Sequence, residues 1–332
     1  DYVCSECGEV QTDNEAHTYT NCVCVCGAVS KFKFHSTSIS LENSLEINLR
    51  LNASVMNDWS GTYAVMTRTR ADGSVETSDP IPNSQWVKRS GLYYFSNKEI
   101  AAKEMNDVVG VTIYNADGVV LSEPYGNSIK SYATSALAAT TGMSAYAELR
   151  TVLVDMLNYG AAAQVQFNHD TGRPVNADLT AAQQAEATPD ADAVANAQRT
   201  TSGTYKATSV VLENRIQMVM YFENVVDGMY ATVQMTTHLG EDVNETVKFA
   251  DMTYSSRYGY GVVVEKAAVA DYAAPITVTM YDADGNEMGK VIDSVETYVT
   301  LVNAQGNNVP VTLQNIVKTL LKFGISSYNQ FH

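Results

Sequence analysis

The sequence predicts a mainly β protein with some α: two homologous antiparallel β-sandwich modules, each ending in an amphipathic helix, behind a small zinc-ribbon-like N-terminal unit. Three observations predict it. An ordered series of segments occurs twice along the chain, most of those segments alternate apolar and polar residues, and all five cysteines fall between Cys4 and Cys26. Leu41-Glu42-Asn43 returns as Leu212-Glu213-Asn214, and Gly61-Thr62-Tyr63-Ala64 as Gly228-Met229-Tyr230-Ala231. Tyr114-Asn115-Ala116-Asp117-Gly118 returns as Tyr281-Asp282-Ala283-Asp284-Gly285, and Ser128 to Thr134 as Ser294 to Thr300. The run Leu149 to Phe167 matches Leu313 to Phe331. Matches in conserved order mean one supersecondary unit used twice.

The elements follow in chain order. Residues 1–33 form the cysteine-rich unit, and module one covers 34–169. In module one, Ser38 to Leu41 and Leu45 to Leu51 alternate as half-buried strands do, as does Tyr63 to Thr69. Ala71-Asp72-Gly73-Ser74 then has hairpin chemistry. Gly91 to Phe95 and Val108 to Tyr114 add strands, the second turning at Asn115 to Gly118 into Val119-Val120-Leu121. After Ser128 the period changes. Leu149, Val152, Leu153, Met156, Leu157, Gly160, Ala163, Gln164 and Phe167 recur at helical steps, as do Leu313, Ile316, Val317, Leu320, Leu321, Gly324, Tyr328 and Phe331. A glycine in the middle of each stripe, Gly160 and Gly324, costs about 1 kcal/mol against alanine and so implies a close backbone crossing. Residues 170–203 lack aromatics and read as an Ala/Asp-rich linker, with a short helix over 178–187. Module two covers 204–332, with strands at Ser209 to Phe222, Tyr230 to Thr237, Gly259 to Glu265, Ile276 to Tyr281 and Met288 to Ile292.

Composition narrows the function classes. With 332 residues, 45% apolar residues and 17% charged ones, the chain has material for two globular modules. The net charge of -16 with no basic stripe repels phosphate backbones and anionic membrane surfaces, so neither nucleic acid nor membrane insertion is expected. No apolar run is long enough to span a bilayer, and the chain opens on Asp1 and Tyr2 without a signal peptide, as a mature segment or fragment of a larger protein would. Abundant Thr, Ser, Asn and Tyr suit an exported bacterial protein.

Cys4 and Cys7 stand in a Cys-x-x-Cys-Gly turn, and Cys22, Cys24 and Cys26 supply a second half with His17 between. Two readings follow. Cys4, Cys7, Cys24 and Cys26 hold a structural zinc, with Cys22 or His17 as substitutes, or two disulfides leave one free thiol. Asp282, Asp284, Asn286 and Asp293 occupy the first, third, fifth and twelfth places of a calcium loop, but Glu287 stands where that loop wants glycine, and a hairpin turn explains Asp-Gly in both copies. There is no Gly-x-Ser-x-Gly elbow, zinc-protease histidine spacing, Walker loop or dinucleotide fingerprint. A non-enzymatic chain is expected.

The tryptophans point elsewhere. Trp59 aligns near Val226 and Trp86 near Thr253, so the shared fold requires neither. Each sits among polar loop residues, which marks Trp59 and Trp86, with Tyr93 and Tyr94, as candidate ligand contacts. The alternative is that each tryptophan caps its own module's core.

The order Leu41-Glu42-Asn43, Ile100 to Met105, Ser128 to Ala133, Met156 to Gln164 and Asn176-Ala177-Asp178-Leu179-Thr180 resembles a module of large secreted and cell-surface proteins of gut clostridia. Cysteine units with a Cys-x-x-Cys-Gly and a His-Thr-Tyr, here Cys4 to Gly8 and His17 to Tyr19, often accompany it. The resemblance covers module one well and module two more weakly, where Asn158-Tyr159-Gly160 becomes Lys322-Phe323-Gly324. It implies an extracellular or cell-surface location on a Gram-positive bacterium, and a host-protein partner such as immunoglobulin, in the manner of a superantigen, or a mucin glycoprotein. Carbohydrate binding through exposed aromatics and a ligand-free spacer are the other readings.

Overall fold

A computed structural model describes residues 30–41, 45–53, 59–139, 147–185, 198–212, 216–265 and 268–331, together with four two-residue strands before residue 25. Those four are β1 (Tyr2–Val3) with β2 (Val10–Gln11) and β3 (Tyr19–Thr20) with β4 (Val23–Cys24), each pair antiparallel. Of the predicted zinc ligands, Cys4, Cys7, Cys22, Cys26 and His17 lie outside the described residues, and only the backbone of Cys24 is described.

The rest is mainly β, in four antiparallel sheets of a β-sandwich-like fold, with helices. Copy one contributes β5 (Phe32–Ser40), β6 (Leu45–Ala53), β7 (Tyr63–Thr69), β8 (Val75–Thr77), β9 (Ile81–Pro82), β10 (Val87–Arg89), β11 (Leu92–Ile100), β12 (Val108–Tyr114) and β13 (Tyr125–Asn127). One sheet runs β10-β11-β6-β5 and the other β13-β12-β7-β8, with β9 also on β7. Copy two contributes β14 (Thr200–Gly203), β15 (Tyr205–Val211), β16 (Gln217–Phe222), β17 (Tyr230–Thr236), β18 (Asp242–Lys248), β19 (Thr253–Ser255), β20 (Gly259–Val264), β21 (Ile276–Tyr281) and β22 (Glu287–Asp293). Its sheets run β15-β16-β20-β19 and β14-β22-β21-β17-β18, the same path with one strand added at an edge.

The repetition reaches single bonds. The β5/β6 ladder bulges between Phe34 and Ser36, and the β15/β16 ladder at the matching place, between Tyr205 and Ala207. Tyr63 stacks on its cross-strand partner Tyr114 with ring centroids 5.2 Å apart, and Tyr230 on Tyr281 at the same 5.2 Å. The following turns close alike. Asn115 Oδ1 accepts from the Asp117 and Val119 amides, Asp282 Oδ1 from those of Asp284 and Asn286, and Gly118 and Gly285 take φ +80° and +85°. These bonds engage the first residue of the calcium pattern within a hairpin turn. The last, Asp293, is buried and paired with Arg199 at 2.6 Å, so the set does not gather round an ion.

The helices are α1 (Ile129–Ala138), α2 (Ala147–Gln166), α3 (Val295–Ala304) and α4 (Val311–Phe331). Ser128 Oγ accepts from the Ser131 amide at the start of α1 and Ser294 Oγ from Thr297 at the start of α3, both at 3.0 Å, the N-cap both copies need. None of the helices, among the described residues, is long and apolar enough to cross a membrane.

The chain divides into two compact units, one of residues 1–40, 46–98 and 104–132, the other of 41–45, 99–103 and 133–332. The second contains α2 and α4, which pack on each other with Tyr159 stacked on Phe323. The α2 stripe is buried from Val152 to Gln164, with Asp155, Asn158 and Tyr159 buried outside it and Leu149 and Phe167 half-buried, and its polar member is explained: Gln164 Oε1 accepts from the Val175 amide at 2.9 Å. Asn176 Nδ2 donates to Asn158 Oδ1, and Asn158 Nδ2 donates to the Gln183 carbonyl. Val175 is fully buried, so the first half of the expected linker is strapped onto α2; 175–185 form successive turns, and residues 186–187 of the short helix expected over 178–187 lie outside the described residues. On α4 the buried stripe drifts after Gly324 to Ser326 and Ser327, leaving Tyr328 39% exposed.

A Cβ at Gly324 would lie 2.8 Å from Tyr272 Cβ and 2.9 Å from its Cγ, both near the backbone and unable to swing aside. Gly324→Ala is therefore expected to destabilise the second unit by roughly 1–3 kcal/mol in urea unfolding, and an unchanged midpoint would remove the close crossing from the account. On α2, Asp155 is buried, with Lys322 Nζ 3.5 Å from Oδ1. Burial raises its pKa above the ordinary carboxylate value, against the attraction of Lys322. A carboxyl with a raised folded pKa favours folding most when protonated, and that contribution is lost as pH rises through the folded value. Asp155→Asn should thus raise the melting temperature at pH 7, with the gain shrinking toward pH 4; a lower melting temperature at pH 7 would contradict this.

Candidate functional site

The β10/β11 hairpin brings most of the nominated residues together. It turns at Ser90 and Gly91, both at positive φ (49° and 82°), the two-residue loop whose twist suits antiparallel strands. On one face of β11, Tyr93 and Phe95 point the same way, as residues two apart must. Phe32 is fully buried at the centre of a cluster there, with Trp59, Trp86 and Tyr93 at 5.4, 5.7 and 6.2 Å. Trp86 also meets Tyr93 at 5.5 Å and Phe95 at 5.4 Å. Asn83 ties the parts: its side chain donates to the Trp59 carbonyl and its amide to the Thr62 carbonyl, while the Trp86 amide donates back to the Asn83 carbonyl. Trp86 Nε1 donates to the Ile81 carbonyl at 2.9 Å. Both tryptophans are half-buried.

Copy two keeps this backbone and changes the side chains. The Val226 carbonyl accepts from the Met229 amide at 3.2 Å as Trp59 accepts from Thr62, and the Met252 amide donates to Phe249 as Trp86 donates to Asn83. Trp86 thus falls on Met252, one residue before the sequence alignment's Thr253. The cluster belongs to copy one's own requirements. It covers Phe32 and stiffens the hairpin.

Tyr94 points to the opposite face. There Arg50 on β6 and Arg89 on β10 lie over its ring, at 5.2 and 5.8 Å from the centroid. Arg50 donates from one terminal nitrogen to Ser38 Oγ at 2.6 Å, and its Nε is covered with no hydrogen-bond partner. Farther along the same face runs a relay of uncharged groups: Ser96 Oγ donates to Asn48 Oδ1, and Asn48 Nδ2 donates diagonally to Ser40 Oγ at 3.1 Å, Ser40 itself standing opposite Glu46. On the inner face Lys88 Nζ stands 4.9 Å from the Tyr93 centroid. Among the described residues no carboxylate pairs with Arg50, Arg89 or Lys88, in a chain with 37 acidic side chains against 21 basic ones. The equivalents of Arg50 and Tyr94 are Tyr221 and Gly261, directly opposed across β16/β20. A Cβ at Gly261 would be within 2.9 Å of Val219, Tyr221 and Thr253, so neighbouring side chains close that place in copy two.

Two further groups escaped the sequence reading. His238 Nδ1 lies 2.8 Å from Asp271 Oδ1, and Asp271 Oδ2 accepts from the Ala268 amide at 2.8 Å, beside a cavity of 350 Å³. Among the described residues no serine or cysteine lines that cavity; its Thr236 hydroxyl donates to Asp242 and its Thr237 hydroxyl accepts from the Glu241 amide, and the pair ties a strand end to a 3-10 turn. A 420 Å³ groove beside α2 is lined by Asn158, Gln164, Asn176 and Gln184, amides already spent on the strap. Among the described residues no three of His, Cys, Asp and Glu gather as metal ligands would.

No protein-family model and no curated protein sequence matches the chain.

Removing the cluster's centre of contacts tests its role. Trp86→Ala should cost roughly 2–4 kcal/mol in unfolding free energy, and Trp59→Val, the residue copy two carries, distinctly less. Equal stability of wild type and Trp86→Ala would show that the indole covers nothing of consequence.

Proposed function

We propose that this chain is a non-enzymatic binding segment of a bacterial surface protein, which engages a host glycoprotein through the β10/β11 hairpin of copy one. One observation carries the reading. Among the described residues, two arginines and a lysine without acidic partners surround Tyr93 and Tyr94 in a strongly acidic chain, whereas copy two carries Tyr221 and Gly261 at the Arg50 and Tyr94 places and a single arginine, Arg257, over Tyr258. Cations left unpaired on a rigid hairpin are available to a ligand, and arginine and tyrosine are the side chains that binding surfaces favour. The extracellular location, the host partner and a zinc-bound or disulfide-bonded cysteine unit rest on the resemblance and on composition. That unit is proposed as a structural appendage.

Surface plasmon resonance of the full chain over immobilised immunoglobulin and mucin tests the reading. Binding to one of them, weakened tenfold or more by Arg89→Gln or Tyr94→Ala at unchanged melting temperature, is the expected result. Binding to neither, or binding indifferent to both variants, overturns it.

A further inference from the structure

We infer that the outer face of the sheet β10-β11-β6-β5 is a binding site for a carboxylate-bearing sugar of the sialic acid kind. The inference rests on the binding reading above and assigns its ligand chemistry. Arg89, Tyr94, Arg50 and Ser38 share the outer face of this sheet: Tyr94 stands opposite Val87 and Arg89 opposite Leu92, Arg50 stands opposite Ser36 and reaches diagonally to Ser38, and the two guanidinium groups lie against the same ring. Each guanidinium is a fixed fork of donors matched to a carboxylate, and the tyrosine ring holds the forks in place without neutralising them. Arg50 has spent a single described hydrogen bond, on Ser38, and its covered Nε has none. An anion on this face gives partners to terminal nitrogens that have no counter-charge among the described residues.

The uncharged groups set the rest of the ligand. Ser96 and Asn48 stand two residues along β11 and β6 from Tyr94 and Arg50, about 7 Å away, with Ser38 opposite Asn48 and Ser40 reached diagonally. They offer hydroxyl and amide groups and no charge. Glu46, the next outward residue of β6, stands opposite Ser40 and about 13 Å along the strand from Arg50, so a carboxylate borders the polar groups at their far end. A ligand suited to this face carries a carboxylate at one end and hydroxyl or acetamido groups about one sugar ring away, as a nonulosonic acid does. An acidic peptide fits the arginines but leaves the polar groups without the dense hydroxyl partners of a sugar. A neutral glycan leaves the arginines bare.

Copy two supplies the internal contrast. Its face has Tyr221 and Gly261 in place of Arg50 and Tyr94, with Tyr221 packed on Tyr258 at 5.4 Å and Arg257 alone over the Tyr258 ring at 5.1 Å, so it lacks the pair of guanidinium groups on one ring that copy one holds.

Calorimetric titration of the full chain with 3′-sialyllactose, lactose and hexaglutamate, each at low and high salt, tests the assignment. The expected result is saturable binding of 3′-sialyllactose that weakens with salt, at least tenfold weaker binding of lactose and hexaglutamate, and at least tenfold loss in Arg89→Gln and Arg50→Gln. Arg89 lies on an exposed hairpin, so its variant should fold as wild type does; Lys206→Gln, which removes a cation paired with Glu223 in copy two, should bind as wild type does. Equal binding of lactose, or tighter binding of hexaglutamate, overturns the assignment. Mucin that binds equally before and after sialidase treatment overturns the sugar class and leaves the binding reading standing. Absence of binding to mucin, immunoglobulin and sialyllactose alike overturns both.

Discussion

The alternation of buried and outward residues along β6 is the constraint on which the rest depends. Leu45, Ile47, Leu49 and Leu51 are all buried, so a shift of one residue would drive Glu46, Asn48 and Arg50 into the core. Register is fixed by that cost, and the bulge at Phe34 to Ser36 is accommodated within it. Once the inner face is committed, the outer face is free to vary without touching the fold. The duplication makes this visible: Met218, Met220 and Phe222 fill the matching inner positions of β16, while outward Asn48 and Arg50 of β6 are replaced by Val219 and Tyr221.

Much of the frame was legible in the sequence because the signals are local. Asp-Gly turns, the Ser128 and Ser294 caps and the helix stripes each follow from residues within a few positions of one another. The single strand expected over Ser209 to Phe222 is instead the hairpin β15/β16, broken at the same Leu-Glu-Asn that separates β5 from β6. The repeat contained that answer. β18 was missed because its odd residues are only half-buried and its even ones exposed, which leaves no apolar face to read. The strap over 170–185 was missed because amides and not apolar side chains hold it: Gln164, Asn158 and Asn176 make bonds that no periodicity announces.

The candidate site was half legible. Lack of repetition singled out Trp59 and Trp86, and the structure gives their role as cover for Phe32, with Tyr93 closing the cluster. Tyr94 was named beside Tyr93, although a strand sends neighbours to opposite faces. Its partners Arg50 and Arg89 lie far from each other in the chain and meet only through the sheet, so no spacing could pair them. The adjacent cations Lys88 and Arg89 before a Ser-Gly turn, in a chain of net charge -16, were the available clue. The tryptophans and the arginines are then two sides of one hairpin: indoles and Phe95 anchor it from within, and the anchored strand presents its charged face outward.

Amide chemical shifts followed by NMR during titration with 3′-sialyllactose test most directly the claim that a shared frame carries a site on one copy alone. Shifts confined to β10, β11, β6 and the end of β5, with β16, β19 and β20 silent, are the predicted result. Equal shifts in both copies, or shifts gathered elsewhere in the chain, would contradict it.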